Sequence, residues 1–148
     1  MASKIKKIKF TVMNEIEQEI IEDFELFDDQ MDKYEHIIDE GSELAILDEK
    51  YKQDDYLVKG CQSKVWLYAY KKDGLIFYEA DSNTVITKGV ISLLIKVLSG
   101  NKPQYIINHK LDFLNKIGLK EMLSSQRANG LQSMINLMKS YAEKFLKE

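Results

Sequence analysis

The chain is poor in the residues that form covalent cross-links and soft metal sites. Its 148 residues include one cysteine, Cys61, and two histidines, His36 and His109. A single cysteine excludes an internal disulfide, so nothing suggests a secreted protein, and it also excludes a thioredoxin-type mechanism, which needs a second thiol. One cysteine and two widely separated histidines cannot supply the three or four soft ligands of a zinc or iron-sulfur site. Any covalent chemistry in this chain therefore depends on one thiol.

The sequence patterns of several common enzyme classes are absent as well. No Walker-type phosphate loop, GxGxxG dinucleotide fingerprint, GxSxG nucleophile elbow or HExxH zinc motif occurs. No apolar run reaches the 18 residues that a membrane span needs, and the N-terminal MASKIKKIKFT has no apolar signal-peptide region. We therefore expect a cytoplasmic protein with no membrane contact.

Composition and charge indicate a single globular domain. Hydrophobic residues make up 45% of the chain and charged residues 30%, which is ordinary for a folded protein of one core. The net charge of -3 argues against nucleic acid as a partner. Four lysines in the range Lys4 to Lys9 precede eight acidic residues between Glu15 and Asp29. This segment is either a solvated helix face beside a basic tip or a docking surface for a charged partner.

The first third of the chain carries apolar residues at helical spacing. Two sets each fall on one face of a helix: Ile16, Ile20, Phe24 and Phe27, and then Tyr34, Ile37, Ile38 and Ala45. Gly41, inside the second helix, indicates either a close contact or a weak point. From Asp48 to Gly60 the periodicity fades, which predicts a loop that ends at Cys61.

The pattern then changes to the period of two that is typical of strands. Val65 to Tyr70 and Leu75 to Ala80 form a predicted hairpin around the turn residues Asp73 and Gly74. After it come a helix capped by Ser82 or Asn83, a short helix begun by Pro103, a short one ended by Gly118, and a long one capped by Ser124 or Ser125. Helices, a small antiparallel sheet and helices again predict an α+β domain.

Cys61 allows two interpretations. A lone cysteine is usually a small packed hydrophobe. Cys61, however, follows a glycine in a predicted loop at the start of a strand, and polar Gln62 and Ser63 come after it. Lys59 and Lys64 would add positive potential that favours the reactive thiolate. We therefore favour a functional thiol.

Arg127 is the single arginine among 21 basic residues. Because every other basic residue is lysine, this arginine indicates a site that needs the planar fork of donors of a guanidinium. Codon chance explains the single arginine equally well. Trp66 is interpreted as a packing residue, and His36 and His109 as surface residues rather than catalysts.

Three segments carry a resemblance to a known family: GCQSKVW at Gly60 to Trp66, ADSNTVITKGV at Ala80 to Val90, and LSSQRANGL at Leu123 to Leu131. In order and spacing they resemble the SufE family of sulfur acceptors in iron-sulfur cluster assembly. The resemblance runs from about Tyr34 to Met138. It departs at Ser125 and Gln126, where the family more often shows proline and then a small hydroxyl residue, and it leaves Arg127 in register. Residues 1–148 are then one SufE-like domain, with an N-terminal extension of about 22 residues outside the resemblance.

The resemblance implies a fold and a role for each site residue. The fold would be SufE/IscU-like α+β, with a hairpin plus one more strand packed against several helices. Cys61 would carry sulfur as a persulfide, in an apolar hollow of the free protein from which it is exposed on docking. Gly60, Gln62 and Ser63 would shape its loop, and Asp81 and Arg127 would lie near that loop.

The resemblance also implies partners. A PLP-dependent cysteine desulfurase, SufS or the related CsdA, would donate the sulfur and be stimulated, and the SufBCD scaffold would receive it. PLP belongs to the desulfurase, so this chain would need no cofactor or metal, and it would be an accessory sulfurtransferase-type protein rather than a stand-alone enzyme. The alternatives are a CsdE-type acceptor for a different desulfurase, a U-type scaffold relative, which needs several cysteines, and an interaction module in which Cys61 is replaceable.

Overall fold

The computed structural model describes residues 15–148. The lysines at Lys4 to Lys9 lie outside the described residues. Residues 15–25 are helical and are labelled α1. The other elements are α2 (Gln30–Ser42), two 3-10 turns (Glu49–Tyr51 and Asp54–Tyr56), β1 (Val65–Lys72), β2 (Leu75–Ser82), α3 (Val85–Leu98), α4 (Pro103–Asn108), α5 (Phe113–Lys116), α6 (Leu119–Met122) and α7 (Ser125–Lys147). No helix in this range is long and apolar enough to cross a bilayer.

The first two helices form where predicted, but both are shorter. α1 ends at residue 25, before Phe27, because Asp29 caps α2 by accepting a hydrogen bond from the Met31 N–H at 2.8 Å. α2 ends at Ser42, before Ala45. The placement of Phe27 and Ala45 on these helices was therefore wrong.

The hairpin is confirmed in position and in alternation. Val65 pairs with Ser82 and Lys72 with Leu75, and the turn has positive φ at Asp73 and Gly74. One face of β1 is buried against the helices and the other is partly exposed. The expected third strand is wrong for the described residues: the sheet has two strands, flanked by single-residue bridges at Leu57–Trp66 and Ile76–Asn101.

Helices α2 and α3 cross at two glycines. A Cβ atom on Gly89 would lie 2.0 Å from the carbonyl oxygen of Ile37, and one on Gly41 would lie 2.7 Å from the Gly89 nitrogen. Only glycines allow the backbones to approach this closely. Gly41 therefore marks a close contact rather than a weak point.

The remaining helices surround the core face of the hairpin. Tyr78 of β2 donates a hydrogen bond from its hydroxyl to the Met138 carbonyl of α7 at 2.6 Å. Ser124 caps α7 by accepting from the Arg127 N–H, as one of the two predicted caps, whereas the cap position of α3 is Thr84 rather than Ser82 or Asn83. The core of the α+β domain thus places the start of α3 and the first turns of α7 beside the loop that precedes β1.

Candidate functional site

The loop that carries Cys61 enters the site through a position that only glycine fits. Gly60 has a φ of +91°, and a Cβ atom there would lie 2.7 Å from the Ser133 hydroxyl oxygen of α7. The left-handed conformation strains any residue with a side chain, and an added Cβ atom would also force the Ser133 hydroxyl to move. Gly60 therefore turns the chain so that Cys61 follows directly against α7.

The other end of the loop is fastened to the end of the hairpin. The Lys64 N–H donates to the Asn83 side-chain oxygen at 3.0 Å, and the Lys64 carbonyl accepts from the Ser82 hydroxyl at 2.8 Å. The strand β2 and its following turn thus fix where the loop leaves the site.

The thiol of Cys61 is half-buried against α7. Its sulfur lies 3.6 Å from the Gly130 carbonyl oxygen, a weak thiol hydrogen bond. A Cβ atom on Gly130 would lie 3.2 Å from this sulfur. The absence of a side chain at Gly130 therefore provides the space that the Cys61 sulfur occupies.

A small hollow of about 10 Å³ lies beside the thiol, room for about one water molecule. Its wall combines apolar and polar side chains from the loop, α3 and α7: Cys61, Gln62, Ser63, Thr87, Val90, Leu123, Gln126, Arg127, Gly130 and Met134. The structure thus brings Cys61, Gln62, Ser63 and Arg127 together, as the resemblance implied.

Burial raises the pKa of the Cys61 thiol above its ordinary value. Lys59 and Lys64 are both exposed. Since desolvation disfavours the thiolate, the expectation that these two lysines activate the thiol was wrong for the chain by itself. In the free chain, burial thus favours the protonated form of this thiol.

Arg127 brings positive charge to the hollow. Its backbone N–H is bonded to the Ser124 cap at 3.2 Å, which fixes the start of its side chain. Its Nε is buried and has no hydrogen-bond partner among residues 15–148, and the guanidinium forms no ion pair there. A buried donor without a partner is costly, so this Nε is the unsatisfied polar atom of the hollow.

Asp81 is placed differently from the other predicted residues. Its carboxylate contacts Lys52 at 3.0 Å and Lys88 at 3.5 Å, and it does not line the hollow. Partial burial alone would raise the pKa of Asp81, but the bonds from Lys52 and the Ser82 N–H, together with Lys88, hold that pKa below its ordinary value. Asp81 thus stays charged and organises the end of β2 next to the loop.

The two histidines are less exposed than expected of surface residues. His36 has 19% of its side chain exposed, faces Glu40 at 3.6 Å and packs against the rings of Phe24 and Phe27. His109 contacts Glu17 and has 17% exposed. Neither lines the hollow at Cys61.

One group of metal-ligating side chains lies within residues 15–148. The ligand atoms of Asp23, His36 and Glu40 are within 4.8 Å of one another, but Lys96 already pairs with Glu40 at 3.5 Å. This group does not include Cys61.

Several residues of the hollow had no individual role predicted from the sequence. Thr87, Val90 and Leu123 lie within motifs of the family resemblance, and Met134 looks like an ordinary residue on the core face of a helix. Gly130 lies within a motif of the family resemblance, yet its contact with Cys61 joins positions 69 residues apart. Only the folded chain shows that contact.

Comparison with known proteins gives the class to which this fold and site belong. The family model described as SufE, the Fe-S metabolism associated domain, matches residues 18–142. A SufE-like protein of Rhizobium meliloti is 38% identical over 130 residues, which cover 84% of this chain and 93% of the relative. The chain belongs to the SufE family.

Two further relatives and one solved structure are also similar to this chain. The cysteine desulfuration protein SufE of Wigglesworthia glossinidia brevipalpis is 30% identical over 93% of this chain and 90% of its own length. SufE-like protein 1 of Arabidopsis thaliana, chloroplastic/mitochondrial, is 39% identical over 84% of this chain, which corresponds to 34% of that longer protein. The solution structure of a hypothetical protein from Thermus thermophilus shares the fold, with a TM-score of 0.74, 16% identity, and coverage of 90% of this chain and 97% of the other.

Proposed function

We propose that this SufE-family protein accepts sulfane sulfur from a cysteine desulfurase as a persulfide on Cys61. The observation that carries the proposal is the position of the single thiol at a hollow with room for about one more atom, beside the unpaired Arg127 donor. A persulfide adds one sulfur atom and, once ionised, one negative charge to the cysteine. The hollow has room for the added sulfur atom, and the guanidinium of Arg127 can pair with the negative charge.

The transfer balances without any group from outside the two proteins. Cys61 first loses its proton to solvent, and its thiolate attacks the outer sulfur of a persulfide on the desulfurase. A new S–S bond forms on Cys61, the S–S bond of the donor breaks, and the donor cysteine leaves as a thiolate. No net oxidation or reduction occurs, so one thiol in this chain is enough.

Burial and reactivity oppose each other at this site. In the free chain, burial raises the pKa of the Cys61 thiol, and the smaller thiolate fraction slows its attack. The same burial would shield a bound persulfide from oxidants. We infer that docking on the desulfurase exposes the thiol and stimulates the enzyme by removing its sulfur. The SufBCD scaffold is the proposed acceptor, through the same exchange in the next step.

The test compares the wild type with Cys61→Ser as activators of a SufS-type desulfurase. With cysteine as substrate, the wild type is expected to increase alanine release, and Cys61→Ser to leave the basal rate unchanged. Parallel melting curves check that the variant is folded. If Cys61→Ser stimulated as strongly as wild type, the chain would be an interaction module. A CsdA-type desulfurase in the same assay separates the SufE-type from the CsdE-type assignment, since the true donor gives the larger increase.

A further inference from the structure

Three hydroxyl groups meet between the Cys61 loop and the start of α3. The Thr84 hydroxyl oxygen lies 2.9 Å from that of Ser63 and 2.8 Å from that of Thr87, whereas those of Ser63 and Thr87 are 3.5 Å apart. Thr84 is therefore the centre of this hydroxyl triad. Ser63 and Thr87 both line the hollow beside the thiol, and Thr87 is 6% exposed.

Thr84 occupies a position at which its hydroxyl has another ordinary use. It is the N-cap residue of α3, and a threonine there usually accepts a hydrogen bond from an N–H of the first turn. In this chain its side chain makes no such bond. The hydroxyl is instead hydrogen-bonded to Ser63 and Thr87. It therefore connects the Cys61 loop to the start of α3 instead of capping the helix.

The other bonds of this region hold a different part of the loop. Ser82 and Asn83 fasten Lys64, at 2.8 and 3.0 Å. On the other side, the thiol has its long contact of 3.6 Å to the Gly130 carbonyl. The bond from Ser63 to Thr84 is thus the side-chain tether nearest to Cys61, and Lys64 remains anchored if that bond opens.

We propose that Thr84 is a positioning residue for Cys61. The hydrogen bond between the Thr84 and Ser63 hydroxyls, called the latch below, keeps the thiol half-buried. Opening of this one bond lets the loop from Cys61 to Ser63 move out while the hairpin stays intact. The proposal concerns the burial of the thiol and holds whether or not Cys61 carries sulfur.

The test measures the rate at which iodoacetamide alkylates Cys61 at one fixed pH. Thr84→Val and Ser63→Ala each remove one partner of the latch and are expected to raise the rate about threefold to tenfold, the range that one hydrogen bond controls. The double variant is expected to fall short of the product of the two single effects, because both variants remove the bond between Ser63 and Thr84, while each also removes its own contact with Thr87. Thr84→Ser keeps a hydroxyl and should keep the wild-type rate.

Unchanged rates in both single variants would overturn the proposal, and so would a double variant whose increase is the product of the two. Ser99→Ala is the matched control, because it removes a hydroxyl that accepts from the Tyr78 N–H at 3.0 Å at the opposite end of α3. An equal increase in this control would show general loosening and would also contradict the latch. If Cys61 reacts only when the whole protein unfolds, the logarithm of the alkylation rate rises with urea concentration with the full m-value of unfolding. That dependence in Thr84→Val and Ser63→Ala would also contradict the proposal.

Discussion

At the scale of single residues, the Cys61 sulfur lies 3.6 Å from the Gly130 carbonyl oxygen, and Arg127, whose Nε is buried, lines the same hollow. Burial raises the pKa of the thiol, and the cation that lines the hollow remains without a partner among the described residues. If Cys61 carries an ionised persulfide, as we propose, its negative charge would lie at the hollow that Arg127 also lines.

The raised pKa predicts how alkylation of Cys61 depends on pH. Because the folded state holds the thiol proton more tightly than the unfolded chain, the midpoint of the rate against pH should lie higher in the native protein than in urea. The free energy of unfolding should fall slightly as pH rises through the thiol pKa of the unfolded chain, since that state loses its proton first. A native midpoint at or below the unfolded one would contradict the role of burial.

Arg127→Lys tests the planar donor. Lysine keeps the charge but cannot present the buried Nε–H, so we expect sulfur acceptance from the desulfurase to fall about tenfold, the effect of one hydrogen bond to a charged group. The melting temperature should stay close to wild type, because Arg127 forms no ion pair in residues 15–148. Unchanged acceptance would leave codon chance as the better account of this arginine.

At the scale of elements, the crossing of α2 and α3 determines where α3 begins and hence where Thr84 and Thr87 stand. Gly89 faces Ile37 so closely that any side chain displaces one helix. The same α3 lies over the hairpin whose end anchors Lys64. The site therefore depends on a packing contact in which no site residue takes part.

Gly89→Ala is predicted to destabilise the protein by about 3 kcal/mol, because the new methyl group would meet the Ile37 carbonyl, which cannot yield. Gly74→Ala is the matched control: it has no atom within 4 Å of the added Cβ, and its φ of +79° costs about 1 kcal/mol. Urea unfolding curves of both variants make the comparison. Equal losses would mean that the close approach of the two helices adds nothing.

Much of this element order was predictable, and the parts that were not have a physical reason. Period-two alternation and the Asp73-Gly74 turn placed the hairpin, since each depends on residues close in sequence. The prediction of a third strand was wrong. Leu57 and Asn101 each pair with the hairpin through one isolated bridge, and a contact of one residue leaves no periodic pattern in the sequence. The contact of Cys61 with Gly130 depends on the packing of α7 and could not be predicted from local pattern at all.

At the scale of the whole molecule, one α+β domain joins a loop, α3 and α7 around a single thiol. The family model covers residues 18–142, and the chain belongs to the SufE family. The hollow needs all three elements, so separate fragments of the chain would not reproduce it. The fold thus places the thiol of Cys61 at a small hollow between these elements.

The most direct measurement is the intact mass of the protein after incubation with a cysteine desulfurase and cysteine. The wild type is expected to gain the mass of one sulfur atom, a reductant is expected to remove it, and Cys61→Ser is expected to gain none under the same conditions. A wild-type chain that gains no sulfur removable by reductant, beside a desulfurase shown to be active by its alanine release, would contradict the claim that Cys61 carries a persulfide.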